Sequence, residues 1–262
     1  MPSLNDSIAP DLIAFAHQLA DAARAETLLR WRRPCPPSDK GGDHGFDPVT
    51  QADVEAEQAM RRLIEHRFPD HGIVGEEFGA RATQGPYCWS LDPIDGTRSF
   101  ICGLPHWVTL IALLKDDRPI LGLIDAPCLN ERTIGFDGYA TMASTFGETR
   151  LATSGCVSLA EARFSTTDPA LLDPTAFDRL RQRVQTARFG LDGYAYARLA
   201  AGSLDLIVEA GLKPHDLNAL IPVVRGAGGM IGNWNGDDEF SAGKLIAAAT
   251  PQLFAQAVET LR

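Results

Sequence analysis

The chain has 262 residues, with 24 Lys and Arg against 34 Asp and Glu for a net charge of −10, and 45% of it is hydrophobic. That length supports one large domain with a substantial core, and an acidic chain without a basic run is a poor binder of nucleic acid or anionic membrane. Apolar runs reach only about five residues where a membrane span needs roughly 18, no secretory leader is expected, and five scattered cysteines without a C-x-x-C pair point to reduced thiols in the cytoplasm rather than a disulfide frame or zinc site.

Helical spacing of Ile8, Leu12, Phe15, Leu19, Ala22 and Ala23 predicts a first helix over 8–33, capped by Asp6 and Ser7 and stopped by Pro34. Residues 34–46, rich in Pro and Gly, read as a mobile loop. A second amphipathic helix is expected over 52–67, then strands over 73–74 and 87–91, the latter entering an acidic turn at 92–97. Buried strands over 108–114 and 120–124 pair about a turn, and 132–136 and 139–142 extend an antiparallel sheet. Beyond Leu151, strands are expected over 163–167, 204–208 and 244–249. Helices are expected over 175–186, 194–201, 217–224 and 252–261, the third ended by the glycines of 226–229. The pattern is an α/β chain of two sheets interleaved with helices: a single domain over 1–262 with two intimate halves, about 1–150 and 151–262.

Carboxylates gather in four segments: Asp47-Pro-Val-Thr-Gln-Ala-Asp53, Gly75-Glu76-Glu77, Asp92-Pro-Ile-Asp95-Gly96-Thr97, and His215-Asp216. Asp92 stands at the carboxyl end of a strand, where sites concentrate in α/β sheets. Pro93 holds it extended, and Gly96 permits close backbone approach. Two carboxylates on one rigid turn repel when buried together. A divalent cation relieves that repulsion, and oxygen donors favour Mg²⁺ over zinc. The N–H groups of Gly96 and Thr97, at a short helix start, suit a phosphate oxygen. Each segment also has a plain structural reading: a capped turn at 92–97, a solvated pair at Glu76 and Glu77, helix N-caps at Asp53 and Asp216, and a turn starter at Asp47.

Taken together, these segments resemble the inositol monophosphatase superfamily of lithium-sensitive, magnesium-dependent phosphomonoesterases. One signature is matched by Trp89-Ser-Leu-Asp92-Pro-Ile-Asp95-Gly-Thr97-Arg-Ser-Phe100, the other by Lys213-Pro-His-Asp216 through Gly229, with Asp47 to Asp53 and Gly75 to Glu77 in order and spacing. The resemblance runs over roughly 8–260. It implies a layered αβαβα sandwich of the inositol monophosphatase and fructose-1,6-bisphosphatase type. Residues 103–114, 188–196 and 200–214 look most like the histidinol-phosphate phosphatase branch. Expected function is therefore hydrolysis of L-histidinol phosphate in histidine biosynthesis. An inositol-1-phosphatase, or a broad sugar or nucleotide phosphatase, is the enzymatic alternative, and a non-catalytic relative the remote one.

The resemblance further implies that Glu76, Asp92, the Ile94 carbonyl, Asp95 and Asp216 hold two or three Mg²⁺ ions. Asp53 and Thr97 would activate the attacking water, and Glu77 and Asp47 would assist a third ion or its waters. A homodimer is the family habit. Lys40 lies farther from the Asp47 motif than the lysine many relatives carry. Gly96 and Thr97 are expected at the phosphate, and Arg188, Asp192 and Glu209 at the rest of the substrate. Asp192 stands where inositol phosphatases place a small uncharged residue. Glu209 lies seven residues before Asp216, and Arg188 would steer the phosphate or hold Glu209. His44, His71 and His106 read as surface or packing residues, His215 as pocket wall, and Cys102 as a buried apolar thiol.

Overall fold

Apolar residues alternating along the strands assemble two sheets, each covered on both faces by helices. The computed structural model describes residues 8–41 and 47–262. The expected caps Asp6 and Ser7, the end of the expected loop, and His44 lie outside the described residues. The elements begin α1 (Pro10–Arg30), β1 (Ser38–Asp39), β2 (Pro48–Val49), α2 (Gln51–Arg67), β3 (Gly72–Gly75), β4 (Gly79–Arg81), β5 (Tyr87–Asp95) and α3 (Thr97–Ile101). A meander follows: β6 (Val108–Lys115), β7 (Arg118–Ala126), β8 (Glu131–Phe136), β9 (Tyr139–Ser144) and β10 (Gly147–Arg150). Next come β11 (Arg163–Thr166), α4 (Pro174–Arg181), β12 (Thr186–Phe189), α5 (Tyr194–Ala200) and β13 (Leu206–Glu209). The chain closes with α6 (Pro214–Leu217), α7 (Leu220–Gly226), β14 (Met230–Gly232), β15 (Leu245–Ala248) and α8 (Pro251–Leu261).

Eight strands form one sheet in the order β10-β9-β8-β7-β6-β5-β3-β4, and five form a second in the order β12-β11-β13-β15-β14. Along β6, Ile111 and Leu113 join Phe15, Leu19, Met60 and Ile64 of α1 and α2. Val108, Leu110 and Ala112 face the other way, into a middle layer with α5, α7, Ile207 and Ala247. Leu206, Val208 and Ile246 pack against α4 and α8 on the far side of the second sheet. The layers run α-β-α-β-α, and each fully buried Leu, Ile or Phe contributes roughly 1.5–3 kcal/mol. Gly135 permits the middle layer to touch the large sheet, since a Cβ there would lie 2.5 Å from the Pro222 carbonyl oxygen.

Several expectations are corrected. The first helix starts at Pro10, not residue 8, with Ala9 as an N-cap that makes no side-chain bond; it ends at Arg30, ahead of Pro34, because Trp31 turns extended. Thr50, not Asp53, is the N-cap of α2, and Asp53 closes a capping box from the third helical position. The helix expected over 175–186 ends at Arg181, and residues 186–189 form a strand, not expected from the sequence, because they pair in parallel with β11. The strands β1, β4, β10 and β14 have only two to four residues, too few to carry a period. Cys102 is exposed, not buried, at the C-cap of the short α3. All five cysteines are free thiols. No helix among the described residues is long and apolar enough to cross a membrane.

Candidate active site

A break in strand register builds the centre of the site. On β5, Asp92 lies opposite Leu110 and Asp95 opposite Val108, so three steps on β5 match two on β6. Without that bulge the two-residue period would point Asp92 and Asp95 to opposite faces. With it, both carboxylates fall on the face shared by Leu110 and Val108. The Thr109 hydroxyl donates to the Pro93 carbonyl at 2.8 Å and pins the extra residue. Gly96 then turns the chain at φ 88° into α3. From the second half, Asp216 enters at the third position of α6, its carboxylate accepting the Lys213 N–H at 2.7 Å.

Ligand oxygens of Asp92, Asp95 and Asp216 lie within 4.8 Å of one another. They line an open cleft of about 540 Å³ together with Glu76, Gly96 and Thr97. Burial, followed by the charges of Glu76, Asp95 and Asp216, raises the Asp92 carboxyl well above the usual range. Burial, then Asp192 and Asp216, does the same to Asp95. Asp216 is raised by burial as well. Asp92 Oδ1 is buried without a hydrogen-bond partner. An unsatisfied, all-oxygen cluster of crowded carboxylates fits a hard divalent cation, which supplies both the missing contact and the missing charge. The Ile94 carbonyl, beside these groups, accepts the Thr97 hydroxyl at 3.0 Å.

Lys40 completes the acidic wall. Its Nζ lies 2.8 Å from Glu76 Oε1 and 2.6 Å from Glu77 Oε1. Burial pushes the Glu76 carboxyl up, but the Lys40 charge and hydrogen bond outweigh it and hold it below the ordinary value. For Glu77 burial wins, and its pKa is pushed up to about 7. Lys40 reaches the wall from the β1–β2 ribbon, its own N–H donating to the Asp47 carbonyl at 2.9 Å and so extending the pairing of Ser38 and Asp39 with Pro48 and Val49. Asp47 lines the cleft and faces Lys213 at 3.9 Å, outside the three-carboxylate cluster.

Asp53 is buried and accepts both the N–H and the hydroxyl of Thr50 through Oδ2, at 2.8 and 2.7 Å. Its Oδ1 has no partner, and burial raises its pKa to about 6. Among the described residues no hydrogen bond joins Asp53 to Thr97, whose hydroxyl is given to Ile94.

Asp192 and Glu209 also line the cleft, and Asp192 stands beside the cluster, its carboxylate against Gly96 and its charge acting on Asp95. Burial raises Asp192 to about 6, with His106 and Arg98 opposing the shift. Glu209 ends β13 and accepts the Thr167 N–H and hydroxyl at 2.8 and 2.9 Å, yet burial still raises it to about 8. Arg188 is not there. It lies exposed on the edge strand β12, opposite the buried Ser165, and does not line the cleft. Among the described residues, Arg98, the second residue of α3, is the guanidinium that does. His215 lines the cleft with Nε2 3.4 Å from Asp216 Oδ1. His71 is a packing residue, stacked on Phe68 and accepting the Trp89 indole N–H. His106 is neither free surface nor plain packing, since its Nε2 meets the Ser99 hydroxyl at 3.0 Å.

Comparison with known proteins agrees with this geometry. Residues 10–262 match the inositol monophosphatase family. The chain is 42% identical to the chloroplastic bifunctional phosphatase IMPL2 of Arabidopsis thaliana, over 98% of this chain and 77% of that protein. It is 35% identical to a histidinol-phosphatase of Mycobacterium tuberculosis, over 87% and 90% of the two chains. The structure of an inositol monophosphatase from Zymomonas mobilis superposes with a TM-score of 0.84 at 38% identity, covering 96% of this chain and 97% of that one.

Proposed function

The chain belongs to the inositol monophosphatase family, and from that premise we propose that this metal-dependent phosphomonoesterase hydrolyses L-histidinol phosphate to L-histidinol and phosphate. The observation that carries the choice of substrate is a further pair of carboxylates on the cleft wall, Asp192 and Glu209, outside the three-carboxylate cluster. Histidinol phosphate carries an ammonium group and an imidazole where inositol phosphate carries only hydroxyls. Donors of that kind match acceptors and anions, and a buried polar pair rejects a substrate lacking its complement. The likeness to a histidinol-phosphatase over most of both chains supports the same choice.

Bound Mg²⁺ would neutralise the phosphate dianion and acidify water for in-line attack. Asp92, Asp95, Asp216, Glu76 and the Ile94 carbonyl would hold it, with Asp92 at the centre because three of its neighbours are acidic. Glu77 and Asp47 flank the cluster and would serve a further ion or its waters. Asp53 offers an unpaired Oδ1 at a pKa of about 6, close enough to neutrality to accept the proton of the attacking water. The Thr97 hydroxyl, its proton given to Ile94, keeps lone pairs that orient that water. N–H groups of Gly96 and Thr97 have no intrahelical acceptor at the start of α3 and suit a phosphate oxygen. Asp192 and Glu209 hold the amine end.

A second reading, an inositol-1-phosphatase or broader sugar or nucleotide phosphatase, is favoured by the Zymomonas likeness. Phosphate release from L-histidinol phosphate, inositol 1-phosphate and a nucleoside monophosphate, side by side with and without Mg²⁺, separates the two. A kcat/KM for histidinol phosphate at least about tenfold above the others is expected. Preference for inositol phosphate transfers the chain to the second reading, and full turnover in EDTA removes the metal from the mechanism.

A further inference from the structure

Two Asp-Gly pairs, one from each half of the chain, cross at the metal-holding cluster. Asp95-Gly96 joins β5 to α3, and Asp192-Gly193 leads into α5. Each carboxylate lies on the glycine of the other pair. A Cβ on Gly96 would stand 2.9 Å from Asp192 Oδ2, and a Cβ on Gly193 would stand 2.5 Å from Asp95 Oδ2. The Gly193 N–H donates to that same oxygen of Asp95.

The two glycines serve different needs. Gly96 has a left-handed φ of 88°, which residues with a side chain rarely adopt. Gly193 has φ −60° and ψ −20°, helical values that alanine reaches at a lower entropic cost. Backbone freedom therefore does not call for glycine at 193, and space does. Gly193 is buried, and its missing Cβ would also lie 3.1 Å from a methyl of Leu110 and 3.1 Å from a methyl of Val108. Those two residues are the β6 partners of Asp92 and Asp95 on either side of the strand bulge. Both are packed in the middle layer, whereas the Asp95 carboxylate is the free end of a side chain. A methyl at 193 is accommodated most readily by turning that carboxylate away.

We propose that Gly193 is a positioning residue for the metal site. Its N–H fixes the Asp95 carboxylate, and its lack of a side chain leaves that group room to face Asp92 and Asp216, an assignment resting on the reading of these three as Mg²⁺ ligands. In this orientation oxygens of the three lie within 4.8 Å of one another. A donor behind a ligand sets the angle at which the ligand meets its ion, and losing such a partner costs about 10- to 100-fold in metal affinity. The second half of the chain thus supplies one ligand of its own, Asp216, and the group that aims a ligand of the first half. Asp192, left-handed at φ 47°, forms the turn that brings the Gly193 N–H there.

The test uses wild type, Gly193→Ala, Asp95→Ala and the Asp95→Ala/Gly193→Ala double. Thermal melts of the full chain in EDTA and over a Mg²⁺ series give the metal-free melting point and, by linkage, the Mg²⁺ Kd. Gly193→Ala should raise that Kd by about 10- to 100-fold with little change of the melting point in EDTA. In the Asp95→Ala background it should leave any residual Kd where it stands, because the ligand it aims is gone. A Gly193→Ala protein with the wild-type Kd, or a second rise on top of Asp95→Ala, overturns the positioning role while the metal reading stands. Should Gly193→Ala fail to fold, the double decides. Folding of the double identifies the carboxylate as what the methyl meets and supports the role, whereas its failure makes Gly193 a packing residue against Leu110 and Val108 and overturns it. A wild type whose melting point does not respond to Mg²⁺ overturns the metal reading and the positioning role together.

Discussion

Replacing Asp92 by Asn asks whether the crowded carboxylates serve a cation or the fold. Ligand oxygens in the cluster lie within 4.8 Å of each other, and at an effective dielectric of about 20 two full charges at that separation repel by about 3.5 kcal/mol. Burial, and then Glu76, Asp95 and Asp216, favour a proton on Asp92 in the metal-free protein, and that proton relieves part of the repulsion. The relief from Asn at neutral pH is therefore a fraction of the full repulsion, about 1–2 kcal/mol, or about 3–6 °C in Tm for a chain of this size. A carboxyl whose folded pKa is raised contributes stability that is whole below its unfolded value, near pH 4, and lost as pH rises toward the folded one. The advantage of Asn in EDTA should accordingly widen as pH rises above about 4. Added Mg²⁺ should stabilise the wild type, by about 2.7 kcal/mol when the ion is 100-fold above its Kd, and should do far less for the variant. Thermal melts in EDTA and in Mg²⁺, with phosphate release alongside, read all three effects. An Asp92→Asn protein that melts lower than wild type in EDTA, or keeps the full Mg²⁺ shift, would refute the reasoning and make the cluster structural.

Thr97→Ala should lower kcat by about 10²- to 10⁴-fold while leaving the Mg²⁺-linked melting shift in place; trapping a phosphoenzyme from wild type by acid quench would contradict attack by water. Asp192→Ala should cost histidinol phosphate about 10- to 150-fold in kcat/KM relative to glycerol phosphate, the worth of a charged hydrogen bond of about 1.5–3 kcal/mol. Glu209, raised by burial to about 8, contributes stability that is whole below its unfolded value near 4.5 and lost as pH climbs through about 8. Glu209→Gln should thus gain on wild type in Tm across that window, and a difference that stays flat with pH would count against a buried, protonated Glu209.

Motif and spacing in the chain pointed to Asp92, Asp95 and Asp216, which the fold gathers into one cluster, and to the layered α/β architecture, because oxygen donors, turn residues and apolar periodicity are written locally. Glu209 and Asp192 were legible for the same reason, each standing at a strand or helix end next to a recognisable segment. What the chain could not reveal depends on pairing between distant segments. Asp95 shares a face with Asp92 only because β5 takes an extra residue against β6. Arg188 leaves the cleft because parallel pairing with β11 places it on the exposed edge, and a one-residue difference in register reverses every side chain on a strand. Lys40 reaches Glu76 and Glu77 only through the β1–β2 ribbon, whose two-residue strands have no periodic signal. His106 read as surface or packing, since its contact with Ser99 is made by a turn through a left-handed glycine. Residue chemistry is carried by each position in the sequence, whereas distance and direction between side chains far apart in the chain exist only once the sheets have set their register.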